Sequence, residues 1–446
     1  MKARLAVLMM ALALAFTGCV IPPREGENVV VWLVEGSTPA TLREYLVQQF
    51  AITNGGNLVI NQMPADAIIA RAFEARSGEF DRPDVVEIPS YATSTLVANQ
   101  AFADISPMAS DVQARKLVPS LVELGVLKKR NYAYPYLFTT RYLYYRKDIY
   151  ALAEIEEPPA TLNEFQEAAI KIAEDNPRKI KDFSGIYLAD QDWHDALGWI
   201  YANGGALARY RAGDRWESTL SEPETVAGLE QLQELHAKAN KGTWGDPINR
   251  PWIYLNEVDW KYDAFGGYID TTVSAATIMG NDSMRARLGD RVRSKTGARV
   301  RQWNEEEFGI FPLPGQDGNP APTHVRGSCL AILSQSPRQK GARQFLEIIY
   351  SPEFQKMLAL NGKTPANKDY WSMLGSGEFA STTIAVSQSA QPTPAAPGWL
   401  YIEQSGKLEE FFTRVMRGGD IDKLTRQYDK EFDEMLNSIH PPIEEE

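Results

Sequence analysis

The stretch NVVVWLVEG, residues 28–36, carries six apolar side chains in unbroken succession from Val29 to Val34. A half-exposed strand would alternate apolar and polar residues, so an unbroken run reads as a strand buried on both faces, as in a parallel sheet. Ser37-Thr38-Pro39 then opens a helix, with proline pre-set for the first turn and Leu42, Tyr45, Leu46 and Phe50 on one face. A second strand, NLVINQM, follows at 57–63, then a helix around Ala65–Arg76 and a third strand, DVVEI, at 84–88. The order βαβαβ predicts an α/β fold built on parallel-rich sheets. Sheets of this kind bind ligands at the carboxyl ends of their strands. Those ends here are Glu35-Gly36-Ser37 and Pro89-Ser90-Tyr91.

Further along, EPPATLNEF places Thr161 three residues before Glu164, a capping box for a helix with Leu162, Phe165, Ala169 and Ile172 on its apolar stripe. The helix-rich part up to about residue 300 includes PETVAGLEQLQELHAKA, with Val226, Leu229, Leu232 and Leu235 in register. FGIFPLP (308–314) and HVRGSCLAIL (324–333) read as strands, and ARQFLEIIYS (342–351) as a helix. The segment from Ile421 to Ile439 reads as one amphipathic helix carrying Leu424, Tyr428, Phe432 and Leu436.

YAYPYLFTTRYLYYRKDIY, residues 132–150, concentrates seven tyrosines. Tyrosine buries a large ring and needs a partner for its hydroxyl, so it suits a core and a binding surface equally. In a strand Tyr142 and Tyr144 share one face while Leu143 and Tyr145 share the other, and a central strand buries both. Most of these tyrosines therefore read as core, and the polar interruptions Thr140 and Arg141 as the residues facing a site.

The chain has 446 residues, enough for two domains, and a formal charge of −12. Such an acidic balance repels phosphate backbones and anionic lipid, which argues against nucleic acid or a peripheral membrane surface as partner. The first residues differ from the rest. Lys2 and Arg4 precede an apolar run from Leu5 to Phe16, too short for a stable membrane span, and this is the pattern of an export signal. Cys19 after Thr17-Gly18 is similar to a bacterial lipobox, in which the cysteine is lipidated and becomes the mature N-terminus. The expected order is a signal peptide at 1–18, a lipidated tether at 19–28 and then the folded protein; a plain signal peptide with an incidental cysteine is the alternative. Lipidation of Cys19 would leave Cys329 as the only other thiol. Its setting, RGSCLAIL, reads as a buried strand in which cysteine acts as a small hydrophobe.

Catalytic signatures are missing from the sequence. The histidines, at 194, 236, 324 and 440, show no HExxH or comparable ligand spacing, and no GxSxG elbow, P-loop or GxGxxG occurs. Carboxylates are plentiful, as a glycosidase needs, but an acidic protein has them in any case. Asn281-Asp282-Ser283 matches a glycosylation sequon, a match that would be accidental in the bacterial lipoprotein that the lipobox resemblance implies. Neither a cofactor nor a metal is called for.

Several separated segments, in order, resemble the extracellular solute-binding proteins of sugar ABC transporters, the group that includes maltose- and trehalose-binding proteins. They are PDVVEIPSYATSTLVANQAFADISP, the tyrosine stretch with its continuation to EEPPATLNEF, AATIMGND, FGIFPLPG, HVRGSCLAI, and ARQFLEIIYSPEFQKMLALNGKTPAN. Together they span about residues 29 to 439. The resemblance implies a two-lobed periplasmic-binding-protein fold, monomeric, with lobe I at 29–138 plus 323–362 and lobe II at 139–313 plus 367–446. Three chain crossings would form a hinge that closes on a small molecule. It also implies a non-enzymatic receptor that hands a sugar to the transmembrane subunits of an ABC permease.

By position in the family pattern, the ligand-binding candidates are Glu35, Ser37, Ser90, Tyr91, Thr140, Arg141, Asp192, Trp193, Asn281, Asp282, Arg326, Gly327 and Trp399. Aromatic faces pack on the C–H faces of a pyranose ring while charged and amide groups bond its hydroxyls. The family commonly has an aromatic where Asp282 or Ser283 stands, so this chain departs from the pattern there. For Trp193 and Trp399 core packing is the competing role, and Trp244, Trp252 and Trp260 stay unassigned. Capture of a glycerophosphodiester or a polyamine fits the same fold, Glu35, Asp192 and Asp282 suiting the latter; an exported glycan-acting enzyme is a different class.

The N-terminal reading makes a direct prediction. Metabolic labelling with a fatty acid should mark the wild-type protein, and Cys19→Ser should leave it unlabelled and unanchored or unprocessed; an unlabelled wild type with membrane retention equal to the variant would contradict it.

Overall fold

The computed structural model describes residues 26–74, 82–177, 179, 183–188, 192–241, 261–262, 268–269, 274–282, 290–293, 299–302 and 305–439. Cys19, Ser283, Trp244, Trp252 and Trp260 lie outside the described residues.

The opening pattern folds as its apolar periodicity demands. Strand β1 (Val29–Val34) is followed by helix α1 (Ala40–Asn54), strand β2 (Leu58–Met63), helix α2 (Ala65–Glu74), strand β3 (Val85–Pro89) and helix α3 (Ser90–Ala98). β1 lies between β2 and β3 and runs parallel to both, with Val31 opposite Ile60 and Val85. Its two faces feed two separate cores. Val29, Val31 and Leu33 join a cluster with Leu42, Leu46 and Phe50 of α1, whereas Trp32 packs with Ile68, Ile69 and Val86. Period-two alternation inside a doubly buried strand produces this division.

Two further strands complete the first sheet: β4 (Ala133–Thr139) and, far along the chain, β9 (Arg326–Ile332), with a short β10 (Thr364–Pro365) at the edge. The order is β10-β4-β9-β3-β1-β2. β9 runs antiparallel to both β3 and β4, so the parallel pairs of this parallel-rich expectation are those among β1, β2 and β3. The second sheet uses β5 (Arg141–Arg146), β6 (Phe183–Tyr187), β7 (Ser274–Asn281) and β8 (Phe308–Phe311) in the order β8-β5-β7-β6. It too is mixed: β5 is antiparallel to β7 and β8, and β7 is parallel to β6. Only Thr140 separates β4 from β5, so the chain passes from one sheet to the other within the tyrosine stretch.

Helices cover the second sheet. α4 (Leu162–Asp175) begins with the expected capping box between Thr161 and Glu164. α5 (Trp193–Ala202) and α6 (Pro223–Ala239) follow, and α6 buries Leu229, Leu232 and Leu235. α7 (Gln339–Ile349) returns to the first sheet. The final helix, α9 (Ile421–Leu436), buries Leu424, Tyr428, Phe432 and Leu436 against the second core. Before it, the short helix α8 (Trp399–Gln404) reaches both sides: Leu400 packs with the Trp32 cluster, while Trp399, Tyr401 and Ile402 join the core of the second sheet.

The tyrosines of 132–150 are mostly interior. Tyr134, Tyr136, Tyr142, Tyr144, Tyr145 and Tyr150 are all buried. Hydroxyl partners satisfy several of them: Tyr136 pairs with Thr38 at 3.0 Å, Tyr142 with Thr383 at 2.9 Å and Tyr150 with Thr277 at 2.9 Å. Tyr144 donates to the Asn281 carbonyl at 2.9 Å. Cys329 is buried in β9 as its apolar setting indicated, and burial pushes its thiol up to about 12. Truncation of a large buried aromatic costs about 3–5 kcal/mol. Tyr144→Ala should therefore lower stability by roughly that amount in urea unfolding, and a loss below about 1 kcal/mol would contradict its place in the core.

Candidate functional site

Strand ends supply the first pieces. β3 runs without a loop into α3, so Ser90 and Tyr91 stand at the top of the sheet, where the strand pattern placed them. Ser90 Oγ accepts the Gly327 N–H at 3.1 Å, tying this point to the start of β9. A Cβ on Gly327 would sit 2.3 Å from the Leu137 carbonyl oxygen, so the close approach of β4 leaves room for glycine alone. Next to it Arg326 lies over the Tyr91 ring at 4.4 Å, and the Tyr91 hydroxyl donates to Asp66 Oδ1 at 3.3 Å.

Arg141, the first residue of β5, is buried. Its Nε lies 3.0 Å from Asp195 Oδ1 and its terminal nitrogen 3.7 Å from Asp192 Oδ1. Asp192 caps α5, accepting the backbone N–H groups of His194 and Asp195. A carboxylate at a helix N-terminus meets both unpaired amides and the positive end of the helix dipole. Burial pushes Asp192 up, but Arg141 and the His194 hydrogen bond outweigh it and hold the carboxyl well below its usual range. Asp195 moves the other way: burial raises it, the Asp192 charge adds to that, and Arg141 only partly opposes. One guanidinium thus lies between two carboxylates whose pKa values are pushed in opposite directions.

His194 extends the chain of contacts. Its Nδ1 is 3.1 Å from Asp192 Oδ1, and its Nε2 meets the guanidinium of Arg326. Since arginine can only donate, Nε2 accepts and Nδ1–H donates to Asp192, which fixes the neutral tautomer. Burial pushes His194 down to about 3, with Arg326 reinforcing and Asp192 opposing. Arg326 also pairs with Glu403 of α8 at 2.7 Å. Trp399 donates its indole N–H to the other oxygen of Glu403 at 3.1 Å, the two being one helical turn apart. Trp193 is fully buried, stacks on His194 at 3.7 Å and donates to Glu409 at 3.2 Å. His324 lies 5.4 Å from His194 and 5.7 Å from Trp193. Burial, then the positive charges of the neighbouring groups, hold His324 well below its ordinary value.

The structure thus gathers Tyr91, Arg141, Asp192, Trp193, Arg326 and Trp399 into one charged and aromatic cluster where strands of both sheets end. Trp193 and Trp399 have almost no exposed surface in it. Thr140 is buried beside Arg141, and Asn281 is paired with Arg141 across β7, with half-buried Asp282 next to it. Glu35 is exposed, and Ser37 turns inward instead, donating to Glu87 Oε2 at 2.6 Å. Sequence reasoning passed over His194, Asp195, His324, Glu403, Glu409 and Glu87. Helical spacing could have found Asp195 and Glu403, three and four residues from chosen candidates. Glu87 was visible as an acid between the apolar Val85, Val86 and Ile88. Its oxygens also accept from Val34 N at 3.0 Å and Ser328 Oγ at 2.6 Å, so it ties β1, β3 and β9 together. Among the described residues no group of three or more His, Cys, Asp and Glu is placed to hold a metal ion.

Residues 35–356 match the family model of the bacterial extracellular solute-binding proteins. The chain belongs to this family. It is 25% identical over 414 residues to the diacetylchitobiose binding protein DasA of Streptomyces coelicolor, covering 92% of this chain and 90% of that one. Among solved structures it resembles the sugar-binding protein MalE of Xanthomonas citri, with a TM-score of 0.70, 18% identity, and coverage of 92% and 97% of the two chains. The cyclic alpha-maltosyl-1,6-maltose binding protein of Arthrobacter globiformis is similar at a TM-score of 0.69 and 14% identity, covering 92% and 99%. These likenesses show a two-lobed binding-protein fold. No helix among the described residues is long and apolar enough to cross a membrane.

The two neutral imidazoles give the cluster a pH signature. Between about pH 6.5 and the lower folded values, about 3 for His194, the unfolded chain binds more protons than the folded one. Stability therefore rises with pH through that window and is lost as pH falls through it. His194→Gln keeps a donor for Asp192 and an acceptor for Arg326 but cannot titrate. Urea unfolding from about pH 7 to about pH 4 should show a shallower decline for this variant than for wild type, and parallel declines would contradict a neutral His194.

Proposed function

We propose that this protein is an exported, lipid-anchored receptor that captures a sugar and presents it to the transmembrane subunits of an ABC permease. The observation that carries the reading is the convergence of Tyr91, Trp193 and Trp399 with Arg141, Asp192 and Arg326 at the strand ends where the two sheets meet, in a chain of this family. Tyr91 offers an accessible ring for the apolar face of a sugar and Arg326 a partly exposed charge for its hydroxyls, with the buried Trp193 and Trp399 behind them. Such a combination is what this class of ligand needs. Cys19 would carry the lipid, and the tether 19–28 would hold the receptor at the membrane.

In this reading lobe I comprises 29–138 plus 323–362 and lobe II 139–313 plus 367–446. All strands of the second sheet fall in the latter, and β1, β2, β3 and β9 in the former. Arg326, from the first sheet, would reach across to Glu403 and His194 and stand in for ligand contacts when the lobes close. A polyamine fits less well. The carboxylates Asp192, Asp195 and Glu403 already face Arg141 and Arg326, so little negative charge is left over for an organic cation. The similar proteins are binding proteins, which favours a receptor over a glycan-acting enzyme.

Calorimetry of the mature chain with diacetylchitobiose, maltose and putrescine tests the assignment. One of the sugars should bind and, at a concentration about 100 times its Kd, stabilise the fold by about 2.7 kcal/mol. Small-angle scattering should show a smaller radius of gyration in the same complex. Binding of putrescine alone, or turnover of either sugar, would overturn it.

A further inference from the structure

Helix α3 has the burial of an interior helix and the sequence of a surface one. Every residue from Ala92 to Val97 is buried, whereas a helix on the outside of a lobe buries one stripe. Yet Tyr91, Thr95 and Asn99, four residues apart and so on one face, form a polar stripe. The other small polar residues are satisfied close by. Thr93 Oγ1 donates to the Pro89 carbonyl at 3.1 Å, and Ser94 Oγ to the Leu124 carbonyl at 3.0 Å.

Segments from the far end of the chain cover the polar stripe. Thr95 Oγ1 accepts the Leu400 N–H at 3.2 Å, and Asn99 Nδ2 donates to the Ile439 carbonyl at 3.0 Å. Arg326 lies over the Tyr91 ring and pairs with Glu403 at 2.7 Å. Leu400 reaches from α8 into the apolar cluster of Trp32, Ile68 and Leu96. Helix α8 is itself carried by α9. The Gly398 N–H donates to the Leu436 carbonyl at 2.9 Å, and the Met435 carbonyl leaves no room for a Cβ on Gly398. The Tyr401 hydroxyl donates to the Ile439 carbonyl at 3.1 Å. So α8 and the end of α9 are one piece, and their contact with α3 is a separate and largely polar interface. A permanent contact between halves is apolar, whereas groups that water can satisfy again suit one that opens and shuts.

We propose that α8 is a clasp that holds the two lobes together before any sugar arrives, seating Leu400 on α3 and Glu403 on Arg326, and that it leaves as one unit when the cleft opens. The clasp presupposes the two lobes of the receptor reading, with α3 in lobe I and α8 and α9 in lobe II, but no particular sugar. The Leu400 amide reports on it directly. It lies in the first turn of α8, where an N–H has no partner within its own helix, and Thr95 Oγ1 is its acceptor.

Small-angle scattering and hydrogen exchange at the Leu400 amide, read by NMR, test the clasp on the mature chain freed of bound solute. Wild type should be compact, with a radius of gyration of about 22 Å for a globular chain of this length, and its Leu400 amide should be protected. Thr95→Arg puts a long, hydrated side chain where α8 sits. It should enlarge the radius and expose the Leu400 amide while melting with wild type. Glu403→Gln keeps an acceptor for the Trp399 indole but loses the charge that meets Arg326, and should speed Leu400 exchange about two- to fivefold. Early melting of Thr95→Arg at an unchanged radius would overturn the proposal, because the contact would then belong to a fixed core. Leu400 exchange in Glu403→Gln equal to wild type would overturn it too, even where Thr95→Arg does not fold. No sugar is present in either measurement, so a failure here is separate from a failure of the receptor to bind one.

Discussion

A buried guanidinium must find carboxylates, and in this protein two such groups organise the centre of the molecule. Arg141 sits at the start of β5 with almost no access to solvent, and Asp192 and Asp195 at the head of α5 are placed to meet it. Removing either side would strand a charge in a poor dielectric, which is far more costly than the pair is beneficial. The value of the arrangement is therefore geometric. It fixes the entry of the second sheet against the first turn of α5, and through Asp192 it fixes the ring and tautomer of His194. From there the contacts continue to Arg326 and Glu403, so elements of both sheets share one chain of polar groups.

Around this centre the two halves are held in different ways. Glu87, fully buried, joins β1, β3 and β9 by accepting from Val34, Ser37 and Ser328. Burial raises its pKa, against the lowering effect of those same hydrogen bonds. The second half relies on apolar packing, with Trp193, Trp199, Tyr428 and Phe432 in one continuous core. Helix α8 belongs to neither alone: Leu400 packs on the first sheet's cluster and accepts a place under Thr95, whose Oγ1 accepts the Leu400 N–H at 3.2 Å. A member of the solute-binding family with such a connection carries its aromatic Trp399 on the element that touches both halves.

Tyr91 and Arg326 occupy a different position from Trp193. Tyr91 is half-buried and Arg326 has about a quarter of its side chain exposed, whereas Trp193 is sealed between His194 and Glu409. An accessible ring under a partly solvated guanidinium can exchange protein contacts for ligand contacts at small cost. A sealed indole can do so only if its surroundings move.

Local pattern alone determined a good deal. The unbroken apolar run at 29–34 specified a doubly buried strand, Thr161 with Glu164 specified a helix start, and the 421–439 periodicity specified the last helix, because each depends only on neighbours within a turn or a strand. The tyrosines of 132–150 were legible as core for the same reason. The direction of β9, antiparallel to its neighbours β3 and β4, was not legible, since it depends on how a distant segment returns to the sheet. The site was legible only in part. Arg141, Asp192 and Arg326 stand out as polar residues at strand ends, but that Arg326 meets His194, 132 residues away in sequence, and Glu403 of α8, is decided by the packing of both halves. Pairing of charges is a property of distance in space, and sequence separation carries no record of it.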